Sequence, residues 1–259
     1  VAYEKAGIFR QGKPALCGDL DPPQTLLDKV RELDCPFFLR GRDFSLEVAD
    51  DQWSWRGVDA RGQGVELHGL PLLNLPMENA ALALQAYLLL DLPWNAGQIA
   101  DTLQRTQVVG RLDRRSFEWQ GKRLNLLLDV GHNPHAAQYL ARRLVRQAPA
   151  ARRLAVFGLL SDKDLDGVVA PLLGNVQSWA VAPLDTSRTR TADEVQVVLQ
   201  NLGATVTSHA SVSAALEAQC AVATAEDEIL LFGSFYCVAE ALEWLARRST
   251  EEAAHGITG

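Results

Sequence analysis

The stretch Leu126-Leu127-Leu128-Asp129-Val130-Gly131-His132-Asn133-Pro134 constrains the fold more than any other part of the chain. A short apolar run ending in a carboxylate reads as a buried strand, and Gly131 permits a sharp turn after it. Asn133 is a good helix cap, and Pro134 suits the first helical position, where its missing N–H costs nothing. Downstream, Ala137, Leu140, Ala141, Leu144 and Ala148 recur at helical spacing and predict one buried face. Strand, corner and helix together place Asp129 and His132 at the carboxyl end of a strand, beside the positive end of a helix. Open α/β sheets bind their ligands there. An Asp alone at such a corner reads as a turn cap; Asp with His points to function.

From Arg111 onward, strand and helix signals alternate. Strands are predicted over Arg123–Val130, Leu154–Phe157, Ser178–Val181, Thr205–Ser208 and Ile229–Phe232. Helices are predicted over Asn133–Gln147, Leu165–Leu173, Ala192–Asn201, Val212–Thr224 and Cys237–Arg247. This alternation implies an α/β fold with a mostly parallel sheet. Ser116–Trp119 and Lys122–Leu127, joined at Gln120-Gly121, read as a hairpin adding an antiparallel edge. The earlier region has another texture. A strand over Pro14–Cys17 and a helix over Thr25–Leu33 precede antiparallel-looking strands at Phe37–Arg40, Phe44–Val48, Gln52–Arg56 and Val65–His68. Helices over Met77–Leu90 and Asn95–Thr106 follow, and the change of pattern sets a boundary near Val109-Gly110, giving domains 1–109 and 110–259. Trp53 and Trp55 read as strand packing, and Ser249–Gly259 as a frayed tail.

The chain has 259 residues, 47% hydrophobic and 22% charged, enough for a sizeable core. A net charge of -7 argues against general nucleic-acid binding, and no apolar run reaches bilayer-spanning length. Cys17, Cys35, Cys220 and Cys237 lack C-x-x-C spacing and fit buried, reduced thiols of a cytoplasmic protein. His132 and His135 are spaced like metal ligands on a helix, but no third ligand accompanies them, so zinc is not expected and His135 is assigned to the helix surface. No G-x-G-x-x-G follows any predicted strand, which disfavours a dinucleotide-binding enzyme.

Further clusters are Glu4-Lys5-Ala6-Gly7-Ile8, Glu78-Asn79-Ala80-Ala81, Gly110-Arg111, Ser161-Asp162-Lys163-Asp164 and Gly233-Ser234-Phe235-Tyr236. With Asp129-x-x-His132-Asn133-Pro134, their order and spacing resemble the folylpolyglutamate synthase/dihydrofolate synthase family, a branch of the Mur-type ATP-dependent amide ligases. The resemblance runs over essentially the whole chain. It implies a C-terminal Rossmann-like domain preceded by the C-terminal remainder of a Mur-ligase-type ATPase domain. Family members also carry a G-x-x-x-x-G-K-[ST] phosphate loop. Here Gly12-Lys13 is followed by Pro14 and Gly121-Lys122 by Arg123, so neither serves. The expectation is that residue 1 falls inside the ATPase domain, and that residues 1–259 alone show no ATP-dependent glutamate ligation. Val109 replaces the proline usual before Gly-Arg, and Val130-Gly131 stands where Gly-Ala is common.

The resemblance assigns roles residue by residue. Lys5, by default a solvated lysine, is implied to be carbamylated and to help hold Mg²⁺, which prefers hard oxygen ligands. Asn79 is implied to read the adenine of ATP with its donor and acceptor. Arg111 is implied to reach the ATP phosphates, and Asp129 to bind the ribose hydroxyls. His132 is expected near the reacting carboxylate or the incoming glutamate. Ser234 should cap the last helix and, with Lys163, is a candidate to bind that glutamate. Lys163 reads equally well as a solvated loop residue.

The implied reaction joins L-glutamate to a dihydropteroate or tetrahydrofolate carboxylate through an acyl phosphate, with ATP and Mg²⁺. A monomer without nucleic-acid or membrane partners is expected. Lys5, Asn79, Arg111 and Asp129 are expected to share one nucleotide cleft. A Mur-type ligase for a cell-wall precursor would keep these roles and change the substrate, which an acceptor screen distinguishes. A noncatalytic nucleotide-binding module would be indifferent to loss of Lys5.

Overall fold

The structure, a computed structural model, describes residues 2–146 and 150–256. It divides into two compact units, Val1–Gln107 and Val108–Gly259. Gln147 and Ala148, expected to end the first helix of the second unit, lie outside the described residues.

The N-terminal unit opens with α1 (Ala2–Ala6), β1 (Ala15–Cys17), α2 (Gln24–Glu32) and β2 (Phe37–Leu39). β1 and β2 pair in parallel, with Ala15 opposite Phe37, which corrects the antiparallel reading of Phe37–Arg40. The cause is α2, a crossover that returns the chain to the same end and so forces parallel pairing. Its Leu26 and Val30 are buried with Ala6, Ala15 and Cys35. Next come β3 (Ser45–Val48), β4 (Gln52–Val58) and β5 (Gly64–Pro71), an antiparallel sheet in that order. Trp53 and Trp55 both point into its core, and their indole N–H groups donate to Pro71 O (2.9 Å) and Ala81 O (3.0 Å). On that core lie Met77, Ala80, Ala81, Leu84 and Leu88 of α3 (Met77–Leu88). Gln85 is fully buried there, and its amide bonds both Val58 N and Val58 O. Asn95 caps α4 (Ala96–Arg105) by accepting from Gln98 N.

The C-terminal unit contains β6 (Asp113–Trp119), β7 (Lys122–Asp129), α5 (Pro134–Arg146), β8 (Arg153–Phe157) and α6 (Leu165–Val169). They are followed by β9 (Ser178–Val181), α7 (Ala192–Asn201), β10 (Val206–Ser208), α8 (Val212–Val222), β11 (Glu228–Phe232) and α9 (Phe235–Gly256). The sheet runs β10-β9-β8-β11-β7-β6; β6 is its antiparallel edge and every other pairing is parallel. Gln120 and Gly121, both at positive φ, form the two-residue hairpin turn between β6 and β7.

Two helices differ from expectation. α6 gives way to a 3₁₀ turn over Ala170–Asn175, because Pro171 has no N–H and crowds the preceding turn. α9 starts at Phe235 and continues to Gly256, where the sequence suggested a frayed tail.

β7 to β10 step outward in one direction, and β11 returns to sit between β8 and β7. Residues of α5, α6 and α7 share one core with Leu127, Phe157 and Leu230. Residues of α8 and α9 share the other with Leu126, Leu128, Val156 and Leu231. Alternate residues of β7 thus feed opposite cores. That explains an unbroken leucine run: a strand covered on both faces has no polar side to show. Each such side chain contributes roughly 1.5–3 kcal/mol on burial. After β7 and β8 the chain turns to one face, and after β11 to the other, so the carboxyl ends of these strands border a switch-point crevice.

Candidate active site

Asp129 is the last residue of β7, level with Phe232 of β11. Only 6% exposed, it accepts from Leu112 N (3.0 Å) through Oδ2 and from Gly131 N (2.7 Å) through Oδ1. Burial raises its pKa above the ordinary carboxylate value, opposed by those two backbone N–H groups and by the charges of Arg111 and His132. Asp129 therefore ties the β7 corner to the segment carrying Arg111. That segment is held tightly: Val130 N donates to Gly110 O (2.7 Å), and Gly110 N to Asp113 Oδ2 (3.2 Å). Gly110 (φ +72°) has no room for a Cβ between Val130 and Val238. Leu112 (φ +44°) occupies the left-handed region, uncommon for a bulky side chain.

Arg111 is half-buried, and among the described residues no carboxylate or carbonyl takes its side-chain donors. Its guanidinium carbon lies 6.0 Å from the Phe235 ring centroid. His132 Nδ1 lies 2.9 Å from Val130 O. A carbonyl only accepts, so Nδ1 carries the proton and Nε2 of the neutral ring keeps its lone pair. Asn133 caps α5 by accepting from Ala136 N (2.9 Å), as expected, and His135 is exposed on that helix.

Ser234 is buried at 3% exposure and caps α9, accepting from Tyr236 N (3.1 Å). Gly233 before it adopts φ +113°, and a Cβ there would strike Gly158 O and the Phe157 ring. Lys163 lies beyond β8 in a turn pinned by Arg190, which donates to Ser161 O (2.9 Å) and Lys163 O (3.0 Å). Its ammonium pairs with Asp162 (2.8 Å), which Arg188 also contacts.

The structure thus groups Arg111, Asp129 and His132 with Phe235 in the C-terminal unit. The sequence reading gave Phe235 no role. Its motif marks a helix start, but whether the ring is buried or exposed depends on contacts far along the chain.

Lys5 and Asn79 belong to the N-terminal unit, and among the described residues no hydrogen bond or ion pair links them. Lys5 has a side chain 71% exposed, 3.5 Å from Glu4. Asn79 is exposed in the first turn of α3, whose start no side chain caps. Among the described residues no three acidic, His or Cys side chains gather as a metal site. An unmodified Lys5 ammonium repels a cation, so α1 as it stands does not fit Mg²⁺. A cleft of about 470 Å³ in this unit is lined by Arg42, Asp43, Arg56 and Glu66 among others, and by none of the residues singled out from sequence. Cys35, Cys220 and Cys237 are buried free thiols, and Cys17 is half-buried. Among the described residues no helix is long and apolar enough to cross a membrane.

Residues 110–235, which hold Arg111, Asp129, His132, Ser234 and Phe235, match the family described as "Mur ligase, glutamate ligase domain". Over 250 residues the chain is 38% identical to the dihydrofolate synthase/folylpolyglutamate synthase of Escherichia coli strain K12, a match covering 96% of this chain and 56% of that protein. Residues 110–235 thus carry a Mur ligase glutamate ligase domain, and nearly the whole chain is similar to dihydrofolate synthase/folylpolyglutamate synthases. Among solved structures it resembles E. coli FolC in complex with DHPP and ADP, with a TM-score of 0.80 at 37% identity, covering 96% of this chain and 56% of that one. It also resembles the bifunctional enzyme of Yersinia pestis complexed with AMPPNP and Mn ion, with a TM-score of 0.78 at 33% identity, covering 95% and 56%. The chain spans about half the length of the curated relatives it matches.

Proposed function

We propose that the protein to which these residues belong joins L-glutamate to the carboxylate of a dihydropteroate or folate with ATP. The observation that carries this reading is the cluster at the carboxyl end of β7. A half-buried arginine with uncommitted donors and a histidine bonded through Nδ1 to Val130 O both lie near buried Asp129, which bonds the backbone beside each of them. Solved relatives bind ADP with DHPP, and Mn with AMPPNP and L-glutamate, which agrees with such a substrate set.

In this reading the acceptor carboxylate takes the γ-phosphoryl group, releasing ADP and forming an acyl phosphate. Arg111 offsets charge on the transferred group through its planar fork of donors. The glutamate amine then attacks the acyl carbon, its proton is lost, and phosphate leaves as the amide forms. His132 Nε2 can accept a hydrogen bond from that amine. Ser234 and Lys163 hold the glutamate, and the remaining lone pairs of Asp129 accept from the ribose hydroxyls. Asn79 reads the adenine. Residues 1–109 serve as part of the ATP-binding domain, and the protein acts in the cytoplasm as a monomer. Mg²⁺ would offset phosphate charge. Lys5 would join in holding it only as a carbamate, detectable as added CO₂ in the intact mass.

The test is ADP release by the natural gene product with glutamate and each candidate acceptor. Release requiring glutamate together with dihydropteroate or tetrahydrofolate is the expected result. Release that ignores both, or requires a cell-wall precursor, overturns the reading. Arg111→Ala should lower kcat at least about a hundredfold, the scale for losing a donor to developing charge.

A further inference from the structure

We propose that Phe235 is a positioning residue for Arg111 and His132, an inference that rests on the ligase reading for its catalytic consequence. Phe235 is the first residue of α9 and is 60% exposed, although the helix is already fastened without it. Ser234 supplies the cap, while Cys237, Val238, Ala241 and Trp244 bury its inner face. Neither helix start nor core calls for an aromatic ring here. The ring instead meets the two side chains that the site requires. Arg111 stands over it at 6.0 Å, and the His132 ring centroid is 6.1 Å away at an interplanar angle of 51°.

An aromatic face attracts a guanidinium through its quadrupole without consuming N–H donors. A carboxylate in the same place would bind Arg111 and occupy the donors that a phosphate needs. Phe235 thus restrains a long side chain while leaving its fork open, and the same ring limits the swing of His132. The restraint is anchored from outside the moving groups: Gly233, at a φ of +113° open to glycine, and the buried Ser234 fix where α9 begins.

The test combines kinetics of the natural gene product with ¹⁵N relaxation at Arg111 Nε in the 259-residue chain. Phe235→Leu should lower kcat about three- to thirtyfold, with KM for ATP and glutamate within about twofold. Phe235→Tyr, which keeps the ring, should stay near wild type. In an Arg111→Ala background Phe235→Leu should lose most of its effect, keeping only the part that passes through His132. The Arg111 Nε–H vector should become more mobile in Phe235→Leu and not in Phe235→Tyr. Equal mobility in all three proteins overturns the proposal, as does an undiminished Phe235→Leu effect in the Arg111→Ala background. If the wild type performs no ligation, the ligase reading fails and the relaxation result alone decides the role of Phe235.

Discussion

Asp129 shows how one carboxylate serves fold and site together. Its oxygens hold two buried backbone N–H groups, one of them belonging to Leu112 in the left-handed region. Asp129→Ala leaves both donors unpaired, at about 1–3 kcal/mol each, and frees the segment that carries Arg111. Urea unfolding of the chain should report that loss; an unchanged midpoint would deny Asp129 its anchoring role. Asp227 behaves oppositely with pH. Arg152 (2.7 Å), Thr224 N and Thr224 Oγ1 all bond its buried carboxylate and lower its pKa to about 2. A depressed pKa gives stability that is complete above the unfolded value near 4 and is lost as pH falls toward 2. Asp227→Asn should flatten that acid limb and cost about 1–3 kcal/mol at neutral pH, checked by unfolding at stepped pH. An acid limb as steep in the variant as in wild type would contradict this. Much of the site was legible because its grammar is local. Asp129, His132 and Asn133 declare a strand end, turn and cap within five residues, and Ser234 declares the second cap. The bond from Leu112 to Asp129 spans 17 positions and the Arg111–Phe235 contact far more, so neither leaves a local pattern.

Elements were readable where periodicity decides and misread where pairing does. The apolar runs within β7, β8, β9 and β11 announce themselves, since strands covered on both faces keep their middles apolar and leave polar residues to their ends. β2 did not declare its partner: three residues look alike in either direction, and only the α2 crossover sets the parallel register. The extension of α9 follows from tertiary contacts. Arg248 lies over the rings of Trp119 (4.3 Å) and Trp244 (5.2 Å), which stack on each other and clamp the helix to the β6–β7 hairpin. Arg248→Ala should cost about 0.5–2 kcal/mol. Its signature is earlier exchange of amides in the last turns of α9, so unchanged protection there would assign the clamp no weight. At the opposite end, Gly233→Ala should shift the start of α9, because Gly158 O blocks the added methyl and φ +113° suits only glycine. A displaced Tyr236 amide resonance would show it, and an unmoved one would refute it.

At the scale of the molecule the two units are built on unequal terms. Residues 108–259 enclose a six-stranded sheet between two continuous cores, one on each face. Residues 1–107 divide their buried side chains between two smaller clusters, one of them around a parallel pair of three-residue strands. Parallel strands are stable when helices cover both faces and neighbours extend the ladder, and an isolated two-stranded pair is marginal at best. Residues 108–259 expressed alone should therefore unfold in a single cooperative step, with the amide resonances of Leu112 and Gly131 where they stand in the longer chain. Residues 1–107 alone should melt broadly, with β1 and β2 losing protection before β4 and β5. The reverse ranking would mean that the sheet carrying Asp129 depends on the N-terminal unit for its shape. Independence matters chemically as well. If Arg111, Asp129 and His132 keep their mutual geometry in the isolated C-terminal unit, the site is preorganised by that unit's own strand ends, and ligands find its donors already in place.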